Sequence, residues 1–167
     1  LRGAYKFLVK LWNVARFISS FPIIEEEFEL LPSDKWILGE LNNLIMESYK
    51  GYESLNFQIP ANLIRSFVWE TFASHYIELV KSRAYNRDGK FSEREQRGAW
   101  YTLHTVLKTI LKLLAPITPF ITEKIYRTLY SPEKSVHLER FPEPNKEWVT
   151  ELTEITPILI KTNSCIW

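Results

Sequence analysis

A strongly apolar segment interrupted by prolines, residues 103–121, constrains the fold of this chain more than any other stretch. Its leucine and isoleucine side chains recur at positions that share one face of a helix: Leu103, Leu107, Ile110, Leu111 and Leu114. Pro116 cannot continue this helix. Thr118 and Pro119 are then suited to be the N-cap and the first residue of a second helix. The pattern predicts a central helix on which the other amphipathic segments pack.

Capping signals and apolar spacing place the ends of these two helices. Ser92 and Glu95 have the spacing of a capping box, which predicts the start of the central helix. The helix that follows the prolines has Ile121, Ile125 and Leu129 on its inner face. Both helices are therefore expected to bury one side in a common core.

Three further amphipathic segments precede the central helix. The first covers about residues 1–20. Its predicted inner face consists of Ala4, Leu8, Leu11, Ala15 and Ile18. The second is expected to begin with Ser33 or Asp34 as its N-cap and to end near Gly51. The third is expected to start between residues 56 and 60 and to end near residue 83. Together these segments predict an all-α bundle of four to five main helices.

The region after the last bundle helix is rich in proline. Residues 135–142 are too short to form another helix, and we predict an extended strap along the bundle. From about Asn145 the pattern predicts a further helix, interrupted by Pro157. We therefore expect a helical bundle over 1–144 and the start of a truncated C-terminal helical segment over 145–167. Because the chain begins without Met and stops in an apolar segment, we expect it to be part of a longer protein.

Cysteine usage and hydropathy limit the class of protein. A single cysteine, Cys165, excludes an internal disulfide and a cysteine-based zinc site. One free cysteine is typical of a reducing compartment, so we expect a cytoplasmic protein. No apolar run is long enough to span a bilayer, and a membrane is not an expected partner.

The common catalytic motifs are absent from the sequence. It contains no Gly-rich phosphate loop, no His-Glu-x-x-His motif and no Gly-x-Ser-x-Gly motif. His75 and Glu78 form a lone pair without the matching ligands that a di-iron bundle requires. We therefore expect no catalytic residue, no metal site and no cofactor in this chain.

The outer face of the first helix carries an unusual set of side chains. Lys6, Lys10, Asn13 and Phe17 share this face, and Arg16 lies just to its side. Lysines neutralise phosphates, Asn and Arg hydrogen-bond to base edges, and an aromatic ring stacks on an unpaired base. The alternative is a solvated face whose lysines have no partner and whose Phe17 packs on the next segment.

A second group of cations lies near the end of the third helix. Lys81, Arg83, Arg87 and Lys90 concentrate positive charge in a chain whose net charge is only +1. Binding to a polyanion would then depend on local patches of charge. The structural alternative is that these cations interact with the helix macrodipole. The acidic run 25–27 would repel nucleic acid and is expected to lie elsewhere.

Five sequence patterns, found in the same order as in one known family, carry a resemblance. They lie at residues 10–17, 34–38, 76–83, 114–126 and 135–137. Together they are similar to the anticodon-binding helical domain of class I aminoacyl-tRNA synthetases of the valyl, isoleucyl and leucyl group. The Trp-Asn-x-x-Arg-Phe and Tyr-Ile-Glu-Leu-x-Lys-x-Arg patterns look most like the valyl members. Ser82 departs from the family, where proline is frequent at this position. The resemblance extends to about Pro144.

The resemblance implies a parent enzyme that ligates an amino acid, valine in the valyl members, to its tRNA using ATP and magnesium. The His-Ile-Gly-His and Lys-Met-Ser-Lys-Ser signatures of its catalytic domain are missing here, so this fragment is not expected to catalyse. The implied partners are the anticodon stem-loop of tRNA and the catalytic domain of the same polypeptide. We expect a monomer.

The resemblance also implies which residues meet the RNA, because the first helix and the end of the third contact the anticodon in this family. The implied anticodon-binding residues are Asn13, Arg16, Phe17, Leu79 and Arg83. Together with the charge pattern, this places the predicted contacts to the tRNA backbone at the cations of the two segments: Lys6, Lys10, Lys81, Arg87 and Lys90.

Two alternatives remain open from the sequence. One is the same module of an isoleucyl or leucyl enzyme. The other is a helical bundle with a structural or protein-interaction role and no RNA ligand. Exposure of Asn13, Arg16 and Phe17 along a positive groove would favour RNA binding, and burial of all three would favour the structural role.

Overall fold

The computed structural model describes the backbone of residues 2–166, together with the side chains of residues 3–162 and Cys165. The long helices are α1 Arg2–Ile18, α2 Pro32–Glu53, α3 Gln58–Ser66, α4 Ile77–Tyr85, α5 Glu93–Leu114, α6 Pro119–Leu129 and α7 Thr156–Ile166. A π-helical segment, Phe67–Tyr76, joins α3 to α4, and 3-10 turns cover Val136–Leu138, Lys146–Trp148 and Glu151–Ile155. No strand occurs within 2–166, and the all-α prediction is confirmed.

Helix α5 is the central helix, as predicted. The five apolar residues that defined its inner face are all at most 1% exposed: Leu103, Leu107, Ile110, Leu111 and Leu114. Its start is also confirmed, because the Ser92 hydroxyl accepts from the Glu95 amide at 3.2 Å. The Ser92 amide in turn donates to the Glu95 carboxylate at 2.7 Å. Buried apolar residues of α1, α2, α4 and α6 form one cluster with α5.

The starts of two other helices differ in detail from the prediction. Helix α6 begins at Pro119 after Thr118, but the Thr118 side chain forms no capping hydrogen bond. Helix α2 begins at Pro32, so neither Ser33 nor Asp34 is its N-cap. The Asp34 carboxylate instead reaches back from inside the first turn and accepts from the Leu31 amide at 2.8 Å.

The third predicted helix is one continuous helical run over 58–85 with a π-helical centre. In a π-helix the hydrogen bonds run from residue i to i+5, and this wide turn brings residues four and five apart near the same face. Phe67 and Phe72 stack at 6.2 Å between ring centroids, and Phe72 stacks on Tyr76 at 5.9 Å. This register buries all three rings in the core. With the run counted as one helix, five main helices precede the strap.

The strap is only partly extended, because Val136–Leu138 forms a 3-10 turn. The turn is stabilised by the Glu123 carboxylate, which accepts from the Ser135 hydroxyl at 2.9 Å. Beyond the turn, Glu139 forms ion pairs with Lys134 at 2.6 Å and with Lys112 of α5 at 2.9 Å. Hydrogen bonds from Lys134 and then Lys112 lower the pKa of Glu139 from 4.5 to about 2.

A further C-terminal helix is present as α7, but it begins at Thr156 and not near Asn145, and Pro157 does not interrupt it. Two 3-10 turns occupy the residues before this helix. Pro157 lies in the first turn of α7, where a backbone amide would have no acceptor within the helix, so the missing amide of proline costs no hydrogen bond of the helix. The turns pack closely on α2: a Cβ atom at Gly39 would lie 2.7 Å from a methyl group of Thr150. The indole of Trp36 also donates to the Thr156 hydroxyl at 2.8 Å. Tertiary packing on α2 therefore sets the path of this segment.

Candidate nucleic-acid interface

The structure corrects the predicted role of Arg83. Its side chain is 3% exposed, and its guanidinium binds the fully buried carboxylate of Asp34 through both terminal nitrogens. Tyr76 donates to the same carboxylate at 2.6 Å, and Arg83 also donates to the Glu95 carbonyl at 3.0 Å. Burial and the adjacent carboxylate raise the pKa of Tyr76 well above its ordinary value. These contacts use the guanidinium to join α2, α4 and α5, which removes Arg83 from the candidate RNA contacts.

Helix α1 presents its predicted polar face to solvent, but the helix is rotated relative to the predicted inner face. Phe7 and Val14 are buried, whereas Ala4 is exposed. Asn13 and Arg16 are exposed, as the RNA-binding prediction requires. The rotation brings the side of the helix that carries Phe17 toward the core.

Phe17 belongs to an aromatic cluster, which we define as Phe17, Phe21, Tyr85 and Trp100. The Phe17 ring forms T-shaped contacts with Phe21 at 5.2 Å and with Tyr85 at 6.2 Å between ring centroids, and Phe21 stacks on Trp100 at 6.4 Å. Phe21 is buried, Phe17 and Trp100 are partly buried, and Tyr85 is 41% exposed. Phe17 therefore packs on the next segment, as the structural alternative expected, and part of the residue still reaches the surface.

A short closed loop, residues 86–91, follows Tyr85 and carries two of the predicted cations. Asn86 adopts the left-handed conformation with φ 43°, which Asn tolerates better than most residues. Its side-chain amide donates to the Phe91 carbonyl at 2.8 Å and accepts from the Phe91 amide at 3.1 Å. The Arg87 guanidinium lies over the Tyr85 ring, 5.1 Å from its centroid. The loop thus places Arg87 beside the aromatic cluster.

Lys6 and Lys10 line the side of α1 that faces the π-helical segment. The Lys10 ammonium lies 5.6 Å from the centroid of the Trp69 ring, in cation–π geometry. Lys6, Arg65 and Trp69 line one open groove of about 300 Å³ between α1 and the 58–85 run. Three cations and an exposed indole therefore adjoin the outer face of α1.

The remaining predicted residues are exposed but lie in ordinary surface surroundings. Leu79 is 45% exposed. Lys81 pairs with Glu78 one turn earlier at 3.2 Å, and Lys90 lies 3.5 Å from Asp88. Such exposed pairs contribute little stability, so the two lysines are free to exchange these partners for phosphates.

The sequence interpretation missed three residues of this surface: Arg65, Trp69 and Tyr85. Arg65 and Trp69 are spaced by four positions on the outer side of the third helical run, which is a detectable signal. Tyr85 is the last residue of α4, two positions after Arg83, but no local sequence pattern indicates that its ring is exposed. The structure brings Tyr85 next to both Phe17 and Arg87, which joins the two predicted groups of residues into one surface.

The described part of the chain also bears on metal binding, on membrane insertion and on the role of its buried histidine. Among those residues no cluster of three or more His, Cys, Asp or Glu side chains could hold a metal ion. None of the described helices is long and apolar enough to cross a membrane. His104 of α5 is buried. Its Nε2 lies 3.0 Å from the Phe21 carbonyl oxygen, and its Nδ1 lies 3.1 Å from the Tyr130 hydroxyl. Burial lowers the pKa of His104 despite the Phe21 contact, consistent with a neutral structural residue.

Comparison with known proteins connects this geometry to a family. The sequence profile of the family described as "Anticodon-binding domain of tRNA ligase" matches residues 34–166. A valine–tRNA ligase of Pyrobaculum aerophilum is 42% identical over 167 residues, which cover 100% of this chain and 21% of that protein. The valine–tRNA ligase of Aeropyrum pernix is 43% identical over 168 residues, 96% of this chain and 20% of that protein.

A more distant relative gives the same result. The valine–tRNA ligase of Methanothermobacter thermautotrophicus is 40% identical over 143 residues, 86% of this chain and 16% of that protein. The chain spans about a fifth of the length of these curated relatives. The all-helical fold and the exposed polar face of α1 are consistent with the family that matches residues 34–166. This match shows that the chain belongs to the family of tRNA ligase anticodon-binding domains.

Proposed function

We propose that this chain is the anticodon-recognition module of a valine–tRNA ligase. The observation that carries the proposal is the surface where α1 meets the end of α4. There Asn13 and Arg16 are exposed on the helix that carries Phe17 of the aromatic cluster, Lys10 lies over Trp69, and Arg87 lies over Tyr85. Base-edge donors, aromatic rings and phosphate-binding cations are the three components that recognition of single-stranded RNA requires.

Each component has a distinct role in this proposal. Phe17 stacks on an unpaired anticodon base, a contact that contributes roughly 1–3 kcal/mol per base. Asn13 and Arg16 hydrogen-bond to base edges and so distinguish one anticodon from another. Lys6, Lys10, Lys81, Arg87 and Lys90 hold phosphates, and Leu79 adds an exposed apolar contact. Because phosphate contacts carry no sequence information, the cations set affinity and register.

In this proposal, the ligation reaction is carried out by other domains of a longer polypeptide. The relatives are about five times the length of the match, and their names assign them valine–tRNA ligation. ATP and magnesium are then used by the catalytic domain of that polypeptide. This chain contributes the selection of the tRNA that reaches it, as a monomeric module.

The structure also bears on the alternatives. Asn13 and Arg16 are exposed and Phe17 is partly buried, so the burial of all three that would favour a purely structural bundle is not found. The three relatives described above are all named as valine ligases, which supports the valyl assignment over the isoleucyl and leucyl ones.

The test separates residues that read bases from residues that hold phosphates. Arg16→Ala and Phe17→Ala are expected to reduce discrimination between cognate and non-cognate anticodon stem-loops by roughly 1–3 kcal/mol each. Lys10→Ala is expected to weaken all stem-loops about equally and to reduce the salt slope by about one. Affinities are measured by fluorescence anisotropy over a range of salt concentrations. The folded fraction of each variant is checked by circular dichroism, since Phe17 is partly buried.

The proposal is wrong if Phe17→Ala lowers stability as much as a core substitution and leaves anticodon preference intact. It is also wrong if affinity for RNA hardly changes with salt, because several phosphate contacts make binding strongly salt-dependent.

A further inference from the structure

The Tyr85 ring is an exposed aromatic surface whose orientation is fixed by the bundle. Its contacts with Phe17 and Phe21 are both edge-type, at 6.2 Å and 5.1 Å between centroids. Tyr85 is nevertheless 41% exposed, and the cation of Arg87 lies over the ring 5.1 Å from its centroid. The protein thus holds the ring against Phe17 and Phe21 on the core side, and the ring surface under Arg87 faces outward.

The backbone around this ring is held from two directions. Two side chains of α5 cap the carbonyl of Ala84: the Trp100 indole donates to it at 2.9 Å and the Gln96 amide at 3.0 Å. On the other side, the reciprocal hydrogen bonds between Asn86 and Phe91 close the loop that carries Arg87. A surface fixed in this way loses little conformational entropy when a ligand binds to it.

We propose that Tyr85 and Arg87 form a second stacking site for an unpaired base of single-stranded RNA, next to the one at Phe17. The base stacks on the outer face of the Tyr85 ring, and the Arg87 guanidinium moves from the ring to a neighbouring phosphate. A cation over an exposed tyrosine is held weakly, whereas base stacking and a charged hydrogen bond to phosphate are stronger. This inference rests on the proposed RNA-binding function. It adds the base contact of Tyr85, which neither the sequence nor the family match assigns, and places beside it the phosphate contact already proposed for Arg87.

The experiment uses the full chain and an anticodon stem-loop with 2-aminopurine placed at each loop position in turn. Stacking of the fluorescent base on an aromatic ring quenches its emission. Tyr85→Leu retains apolar contact with Phe17 and Phe21 but removes the ring. We expect this variant to bind roughly 5- to 150-fold more weakly and to lose the quenching at one loop position. Tyr85→Phe restores the ring and is expected to recover both signals.

A matched control comes from Tyr49, which is 50% exposed on α2 and packs against Phe141 of the strap at 6.2 Å. Tyr49→Leu removes a ring of similar exposure and is expected to change neither affinity nor quenching. Arg87→Gln is expected to keep the quenching and to reduce the salt slope by about one phosphate contact.

The outcomes distinguish a failure of the second stacking site from a failure of the proposed RNA-binding function. Unchanged affinity and quenching in Tyr85→Leu overturn the second stacking site and leave the proposed function standing. Failure of the unchanged chain to bind the stem-loop at low salt overturns the proposed function and this inference with it. If Tyr85→Leu does not fold, Arg87→Gln and Tyr85→Phe decide. Quenching at no more than one loop position in Tyr85→Phe, which stacking on Phe17 alone would give, or an unchanged salt slope in Arg87→Gln, overturns the site.

Discussion

Replacement of Arg83 by methionine tests the structural role of the buried ion pair. Methionine keeps most of the aliphatic volume but removes both hydrogen bonds to the Asp34 carboxylate, which is fully buried. The carboxylate would then keep only the Tyr76 hydroxyl and the Leu31 amide. Breaking a buried pair by removing one partner typically costs about 3–5 kcal/mol, a large part of the 5–15 kcal/mol that stabilises a domain.

The measurement is urea unfolding followed by circular dichroism, with Lys81→Met as the matched control on the same helix. Lys81 forms an exposed pair with Glu78, so this control is expected to change stability by less than about 1 kcal/mol. The double variant Asp34→Asn with Arg83→Met is expected to cost clearly less than the sum of the two single changes, because the charges are removed together.

Two results would refute this reasoning about Arg83. One is a loss of stability below about 1 kcal/mol in Arg83→Met, which would mean that the pair contributes no more than a surface contact. The other is additivity of the two single substitutions. The folded fraction of Arg83→Met is expected to keep its anticodon preference, since the guanidinium lies inside the protein.

Four further predictions concern stability. In Gly98→Ala the new Cβ would meet the Glu29 carbonyl oxygen, and we expect a loss of at least about 2 kcal/mol in urea unfolding. Leu107→Ala opens a cavity in α5 and should cost about 2–5 kcal/mol without changing anticodon preference in the folded fraction. Glu139 has a lowered pKa, so its contribution to folding stability is complete above about pH 4.5 and is lost as the pH falls toward 2. In a measurement of stability against pH, Glu139→Gln should remove the part of the acid-induced loss that Glu139 causes. The pKa of His104 is also lowered, so stability should fall as the pH drops below about 6.5, and His104→Gln should flatten this dependence.

The elements that depend on local signals were predictable from the sequence. The central helix follows from apolar residues at helical spacing and from the Ser92 capping box, both of which act within a few residues. The break at Pro116 and the start of α6 at Pro119 follow from the missing amide of proline. The exposure of Asn13 and Arg16 was predictable because a regular helix fixes the direction of each side chain.

The errors came from contacts between residues far apart in sequence. Arg83 looked like a surface cation because its partner Asp34 lies 49 positions away, and charge alone does not indicate burial. Phe17 is partly buried because α1 is rotated toward the core, which depends on the packing of Phe7 and Val14. The conformation after Pro144 is likewise set by tertiary packing on Gly39, which has no periodic signal.

The most direct test of the account is the affinity of the full chain for tRNA transcripts that differ only in the anticodon, measured at one low salt concentration. If Asn13, Arg16 and Phe17 read bases, the transcript with a valine anticodon should bind at least about tenfold more tightly than transcripts with other anticodons. Equal affinity for all anticodons would mean that the surface binds only the RNA backbone. Such a result would contradict the proposed recognition function.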